Sequence, residues 1–350
     1  MAMLSAFDGP DFETFAPRLA AAAPNLFALL DRFADIPVLV VGDLTLDEFL
    51  TGQVERISRE APVLILRHEH TRQIPGGGAN AVYNLAKLGA KVQVAGILGN
   101  DPQGVALRTI FEAAEIDTSA LVIDPSRPTV TKSRIAGHAR QSVTQQIVRL
   151  DRKSDALPDP AIQDKLAEAI ASRLESVPAV VCSDYGEGVF TSPVIKAALD
   201  HERVIVDAQT ELQRYPGATI FTPNLPEAER AAGYGITDTP TVQQAGQDLL
   251  QLTQAQRMLI TRGELGMSLA APDGTVEHIP AFNRTDVFDV TGAGDTVVAA
   301  LTLALCAGGD YWQAAVLGNL AASLVVRQFG TATTSVEELK AALTGLLEGM

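Results

Sequence analysis

The sequence predicts an α/β fold in which one large domain carries a mostly parallel sheet, and three observations support this. Hydrophobic residues make up 47% of the 350 residues and aromatics only 5%, an Ala-, Leu- and Val-rich composition that suits parallel strands covered by helices. Segments of helical period alternate with short apolar runs along most of the chain, the rhythm of strands joined by crossover helices. Four of the runs end in polar, sharply punctuated segments, where parallel strands deliver residues to a ligand.

The elements follow in order. Residues 11–35 place Phe15, Leu19, Leu26, Leu29, Leu30 and Phe33 at helical spacing, which predicts a helical extension over residues 1–35 outside the main fold. PVLVVGD, from Pro37, is a buried strand that ends on polar residues. EFLTGQV and PVLILRHEHTRQ, like TVTKSRIAG and VTQQIVRL, mix apolar, β-branched and charged residues without helical period. Together they predict a small sheet standing off the main body, from segments at about 47–73 and 128–150 of a domain spanning 36–345. The helix and strand pairs GANAVYNLAKLG and KVQVAGIL, GVALRTIFEAAEI and LVI, and DKLAEAIASRLESV and PAVVCSD come next in the main body. VIKAALD, RVIVDA, TIFTPN, two helices, RMLITRG, a β-pair through 279 and two closing helices from 293 and 311 complete the series.

A formal charge of −15 disfavours nucleic acid and anionic membranes as partners, because both call for an excess of Lys and Arg. The cysteines, Cys182 and Cys306, lie far apart in apolar runs, as buried thiols of a reducing cytoplasm would. The longest apolar runs fall short of the ~18 residues of a membrane helix, and the start is acidic, so a soluble, unexported protein is expected.

The sites are read at the strand ends. In DVTGAGDT, Gly292 to Gly294 open an apolar helix, and their amides and the helix dipole form an anion hole for charge developing on a transferred phosphoryl group. Asp295, in the same first turn, is placed to accept a proton from an attacking hydroxyl; taken alone, GAGD reads by default as an acidic helix start after a glycine turn. In TPNLPE, Asn224 and Glu227 share a face if a helix starts at Pro226, which suits either a Mg²⁺ and water network or simple capping. TRGELG is either a backbone platform for a nucleotide or a hairpin turn. PGGGAN lacks the Walker lysine and the dinucleotide glycine spacing, so its backbone and Asn80 suit sugar hydroxyls better than pyrophosphate.

DVTGAGD resembles the second signature of the PfkB (ribokinase-like) carbohydrate kinases, and PGGGAN…LAKLGA…VAGILGND resembles the first, in the correct order. VVGDLTLDEFLTGQVERISREAPVLIL, RPTVTKSRI, QIVRLD, SDYGEGVF, RYPGATIFTPNLPE and TRGELGMSL resemble, within that family, the bacterial heptose-7-phosphate kinases, over about residues 36–340. The resemblance implies a ribokinase-like three-layer sandwich with a small β lid, and ATP with Mg²⁺ phosphorylating a sugar hydroxyl, foremost O1 of heptose 7-phosphate. It implies Asp295 as base, Gly292, Ala293 and Gly294 as anion hole, and Asn224 and Glu227 as the magnesium and phosphate network. Thr261, Gly263 and Gly266 line the nucleotide in this reading, with Asn319 near the adenine; Asp43, Asp47, Gly76, Gly77 and Asn80 hold sugar hydroxyls. It also places a monovalent cation, K⁺, near Asp289 and Gly330, and pairs the lids of a homodimer.

Two positions depart from the heptose kinase pattern: SDYGEG has Glu187 and DAQT has Gln209 where that pattern carries lysine. Charge-assisted hydrogen bonds contribute about 1.5–3 kcal/mol each, so a second phosphate then depends on other cations such as Arg56, Arg59, Lys132 and Arg134. With the match running to near the last residue given, no adenylyltransferase half of a bifunctional heptose enzyme is expected here. The alternatives are a kinase of another sugar, sugar phosphate or nucleoside, and a sugar- or nucleotide-binding regulator without catalysis. A dinucleotide oxidoreductase is disfavoured, since the first strand leads to GDLTLD and not to a glycine fingerprint.

Overall fold

The computed structural model describes residues 10–139, 143–283, 287–328 and 330–349, so the first nine residues of the expected extension lie outside the described residues. The chain runs α1 (Pro10–Leu30), β1 (Pro37–Gly42), β2 (Leu44–Ile57), β3 (Leu64–Gly77), α2 (Gly78–Lys87), β4 (Lys91–Gly99), α3 (Pro102–Ala113) and β5 (Asp117–Asp124). It continues with β6 (Val130–His138), β7 (Gln145–Arg152), α4 (Pro160–Ala171), β8 (Val180–Asp184), α5 (Ser192–Leu199), β9 (Val204–Ala208), β10 (Ile220–Phe221) and α6 (Leu225–Ala232). The last part is α7 (Thr239–Thr253), β11 (Arg257–Thr261), β12 (Met267–Ala270), β13 (Val276–Ile279), α8 (Ala293–Cys306), α9 (Tyr311–Val325) and α10 (Val336–Glu348).

Among the described residues, nine strands form the main sheet in the order β13-β12-β11-β10-β9-β8-β1-β4-β5. The pairs from β10–β11 across to β4–β5 are parallel, and only β12 and β13 turn back antiparallel at one edge. Because side chains alternate across a strand, β1 feeds both faces: Val38 and Val40 enter the core with α1, α2, α3 and α8 to α10, while Leu39 and Val41 enter the core with α4 to α7. This is the expected three-layer α/β sandwich.

The four segments without helical period pair as a second sheet, β3-β2-β6-β7. β2 leaves the end of β1 after Asp43, and β3 returns to start α2 at Gly78, so the small sheet is rooted at the carboxyl ends of the central strands. Every residue of β7 is exposed.

Two expectations need correction. The N-terminal helix is packed into the main fold, because Leu19, Leu26, Leu29, Leu30 and Phe33 are all buried in the core shared with α8, α9 and α10. A third closing helix, α10, follows the two expected ones; Ser335 and Glu338 form its capping box, and Leu339, Leu343 and Leu346 are its buried stripe. Both cysteines are free thiols, Cys182 buried and Cys306 partly so. Among the described residues, no helix is long and apolar enough to cross a membrane.

Candidate active site

The site centres on the start of α8. Gly292 is the N-cap with φ 79°, a left-handed conformation that glycine adopts without strain, and a Cβ there would lie 2.6 Å from Asn80 Nδ2. The first helical ladder bond runs from Thr296 N–H to Gly292 C=O, so the amides of Gly294 and Asp295 precede the ladder. Of the three residues expected to form an anion hole, Ala293 turns its N–H to Val290 C=O at 3.2 Å.

Asp295 is 3% exposed and its carboxylate is gripped on both oxygens. Asn80 Nδ2 donates to Oδ2 at 2.8 Å, and the Tyr185 hydroxyl donates to Oδ1 at 3.0 Å. The Asn80 amide is itself oriented: its Oδ1 accepts from Asn84 Nδ2 at 3.2 Å, which leaves the nitrogen side for Asp295. Burial pushes the Asp295 carboxyl up to about 7 against the pull of these two donors. An acid tuned near neutrality can take a proton from a hydroxyl at working pH.

The expected sugar-side residues gather beside it. Gly76 leaves no room for a side chain, since a Cβ would meet the Asp47 carboxylate at 2.6 Å. Asp47 forms an ion pair with Arg134 at 2.8 Å, not aligned as a hydrogen bond, and Gly77 caps α2 with φ 52°. Asp43 is fully buried, with both oxygens engaged by the loop after β8: Tyr185 and Glu187 N–H donate to Oδ2 at 2.9 and 3.0 Å, and Val189 N–H to Oδ1 at 3.0 Å. Burial and then the charge of Asp184 raise the Asp43 carboxyl, while these amides oppose the rise.

On the other side, Asn224 and Glu227 form the capping box of α6, each side chain accepting the other's backbone N–H, at 3.0 and 2.9 Å. The capping alternative therefore holds in this structure, yet Glu227 also faces the site, and burial raises its carboxyl despite the Asn224 amide. Asp207, at the end of β9, is held well above the usual carboxylate range by burial and then by the charges of Asp295 and Glu227. Sequence reading missed Asp207, Tyr185 and Arg127; for Asp207 the available signal was a carboxylate at the carboxyl end of a parallel strand. Asp207, Glu227 and Asn224 offer hard oxygen donors, a set that fits a hydrated Mg²⁺ and whose mutual repulsion a cation relieves.

Thr261 lies beside Asn224 in an isolated parallel bridge, which joins TRGELG to the α6 start. TRGELG is also the hairpin turn between β11 and β12, with Gly263 at φ 57° and Gly266 at φ 80°. Asn319 is buried on α9 and donates to Pro280 C=O at 2.7 Å. Leu320, Ser323 and Leu324 of α9 and Arg327 just beyond it border a cavity of about 430 Å³ closed by Phe282 and α10. Asp289 accepts from Thr291 and from Gly330 N–H at 3.0 Å; burial alone would raise its carboxyl, but these bonds hold it below the usual range.

The pfkB family carbohydrate kinase model matches residues 37–339. The chain is 41% identical over 321 residues to the bifunctional protein HldE of Geobacter metallireducens, covering 90% of this chain and 64% of that one. It is 42% identical over 316 residues to that of Caulobacter vibrioides, covering 88% and 64%. It thus spans less than two thirds of the length of these curated relatives. Among solved structures, phosphofructokinase-2 of Escherichia coli in complex with potassium superposes with a TM-score of 0.69 at 19% identity, covering 89% of this chain and 99% of that one. Ribokinase of Arabidopsis thaliana with ribose and ATP gives 0.67 at 19% identity, covering 90% and 99%. At that identity the likeness shows the fold.

Proposed function

The chain belongs to the pfkB family of carbohydrate kinases, and on that premise we propose that it transfers the γ-phosphoryl group of ATP to the anomeric hydroxyl of heptose 7-phosphate. The observation that carries the chemistry is the buried Asp295 carboxylate, fixed by Asn80 and Tyr185 beside the amides that begin α8. In this reading Asp295 takes the proton as the sugar oxygen attacks, and the Gly294 and Asp295 amides with the positive end of α8 stabilise the charge on the transferring group. Asp207, Glu227 and Asn224 would hold Mg²⁺, which supplies charge neutralisation at the nucleotide phosphates when bound. Asp47, Gly76, Gly77 and Asn80 face the sugar, and Asp43 contributes through the loop it anchors.

Of the candidate cations, Lys132 is the one that favours an anionic substrate at the sugar side. Arg56 and Arg59 are exposed toward the far end of the small sheet, but Lys132 Nζ lies 5.9 Å from the Tyr185 ring and Arg134 pairs with Asp47. Glu187 is paired with Lys153 at 3.3 Å, which neutralises the acid that replaces the patterned lysine without adding net positive charge. Asn319 would stand near the adenine, and the Asp289, Thr291 and Gly330 cluster suits K⁺. Exposed Ile147, Val148 and Leu150 on β7 favour pairing of two small sheets in a homodimer, with each sheet acting as a lid. ADP release with ATP and a panel of heptose 7-phosphate, fructose 6-phosphate, ribose and a nucleoside tests the substrate. Fastest turnover on the heptose, with phosphate on O1 by ³¹P NMR, is expected; preference for another sugar reassigns it.

A further inference from the structure

We propose that Tyr185 is a positioning residue for the base, fixing the Asp295 carboxylate in the orientation from which it accepts the sugar proton; this rests on reading Asp295 as the base. Two donors, one on each oxygen, define that orientation: Asn80 Nδ2 on Oδ2 and Tyr185 O–H on Oδ1. Turning the carboxylate about its own bond breaks at least one of them. Asn80 comes from α2 and Tyr185 from the loop after β8, so the grip spans two independent elements.

The tyrosine is held without help from any ligand. Its own N–H and those of Glu187 and Val189 converge on Asp43, Gly186 N–H donates to Asp184 Oδ1 at 2.9 Å, and Arg127 Nη2 donates to Glu187 C=O at 2.9 Å. Arg127 is only 8% exposed, so it acts as an internal latch on the turn of the loop and not as a surface charge. This arrangement gives a physical reason for a hydroxyl at position 185. Burial and then the Asp295 charge raise the phenol far above its ordinary value, so it stays protonated and serves as a donor at all working pH values.

The surroundings make such a donor necessary. Asp47 on β2 acts on Asp295 with like charge, and Asp207 at the end of β9 and Glu227 on α6 add to the negative field at Tyr185. Two cations on β6 oppose them: Arg134, paired with Asp47 at 2.8 Å, and Lys132, over the tyrosine ring. Without the hydroxyl, Asp295 keeps one donor against this field.

The test compares the full chain with Tyr185→Phe by ¹³C NMR titration of aspartate carboxyls, the Asp295 signal being assigned through its loss in Asp295→Asn. Turnover is measured with ATP and heptose 7-phosphate across pH 5–9. The Asp295 midpoint should rise by about one pH unit, and kcat at pH 7 should fall about tenfold with both KM values within about twofold, the size of one charge-assisted hydrogen bond. Arg127→Gln, which loosens the loop at a distance, should move both readouts the same way by less, and melting temperatures check that both variants fold. An unchanged midpoint together with unchanged kcat in folded Tyr185→Phe overturns the proposal. A shifted midpoint in a chain that phosphorylates no sugar supports the contact and overturns the base reading instead.

Discussion

Asn80 and Asp295, 215 positions apart in sequence, meet through a buried 2.8 Å hydrogen bond from Nδ2 to Oδ2. The bond ties the glycine-rich start of α2 to the first turn of α8, so the sugar-facing and phosphoryl-facing motifs form one unit. Asn80→Ala should remove a donor worth about 1.5–3 kcal/mol to a charged acceptor and lower kcat/KM at pH 7 by at least about tenfold. Steady-state kinetics check this, and a KM effect alone would confine Asn80 to sugar binding.

The pH dependence follows from the burial of Asp295. A proton acceptor must be ionised, and its carboxyl sits at about 7, so kcat/KM should be level above about pH 8 and fall about tenfold per unit below about pH 6. An ordinary solvated carboxylate would place that limb near pH 4. The profile of kcat/KM at saturating ATP distinguishes the two.

Asp43 is predicted to matter through the loop it organises. Asp43→Ala leaves the N–H groups of Tyr185, Glu187 and Val189 without their acceptor, and a buried orphan of this kind costs about 1–3 kcal/mol. Relief of the repulsion with Asp184 offsets part of the loss, so a net destabilisation of about 2–4 kcal/mol is expected in denaturant unfolding. Wild-type stability would show that the loop holds itself.

Gly266 is expected to tolerate no side chain. It has φ 80°, and a Cβ would lie 2.6 Å from Ala281 N and collide with Ile279 C=O, so Gly266→Ala must displace the β11–β12 turn. Strain of about 1–3 kcal/mol and a raised KM for ATP, with the KM for sugar little changed, are the anticipated results.

The legible part of this protein is the part written in local chemistry. The alternation of periods gave the main sheet, and glycines beside polar residues marked Gly76, Asn80, Gly292 and Asp295, because turns and helix starts demand particular residues at particular positions. Tyr185 and Arg127 were not legible as site residues, since each derives its role from a neighbour far away in sequence, Asp295 and the Glu187 carbonyl, whereas Asp207 carried a signal in its place at the end of a parallel strand. The packing of α1 depends likewise on surfaces of α9 and α10 that no window of sequence contains. By contrast, Ser335, Glu338 and the leucine spacing mark α10 within its own stretch of sequence.

Asp295→Asn addresses the central claim most directly. The amide keeps the shape of the side chain but cannot accept the sugar proton, so kcat with ATP and heptose 7-phosphate should fall by about 10² or more while ATP binding, followed by calorimetry, persists. Turnover equal to wild type, in a folded variant that still binds ATP, would contradict the assignment of Asp295 as the base.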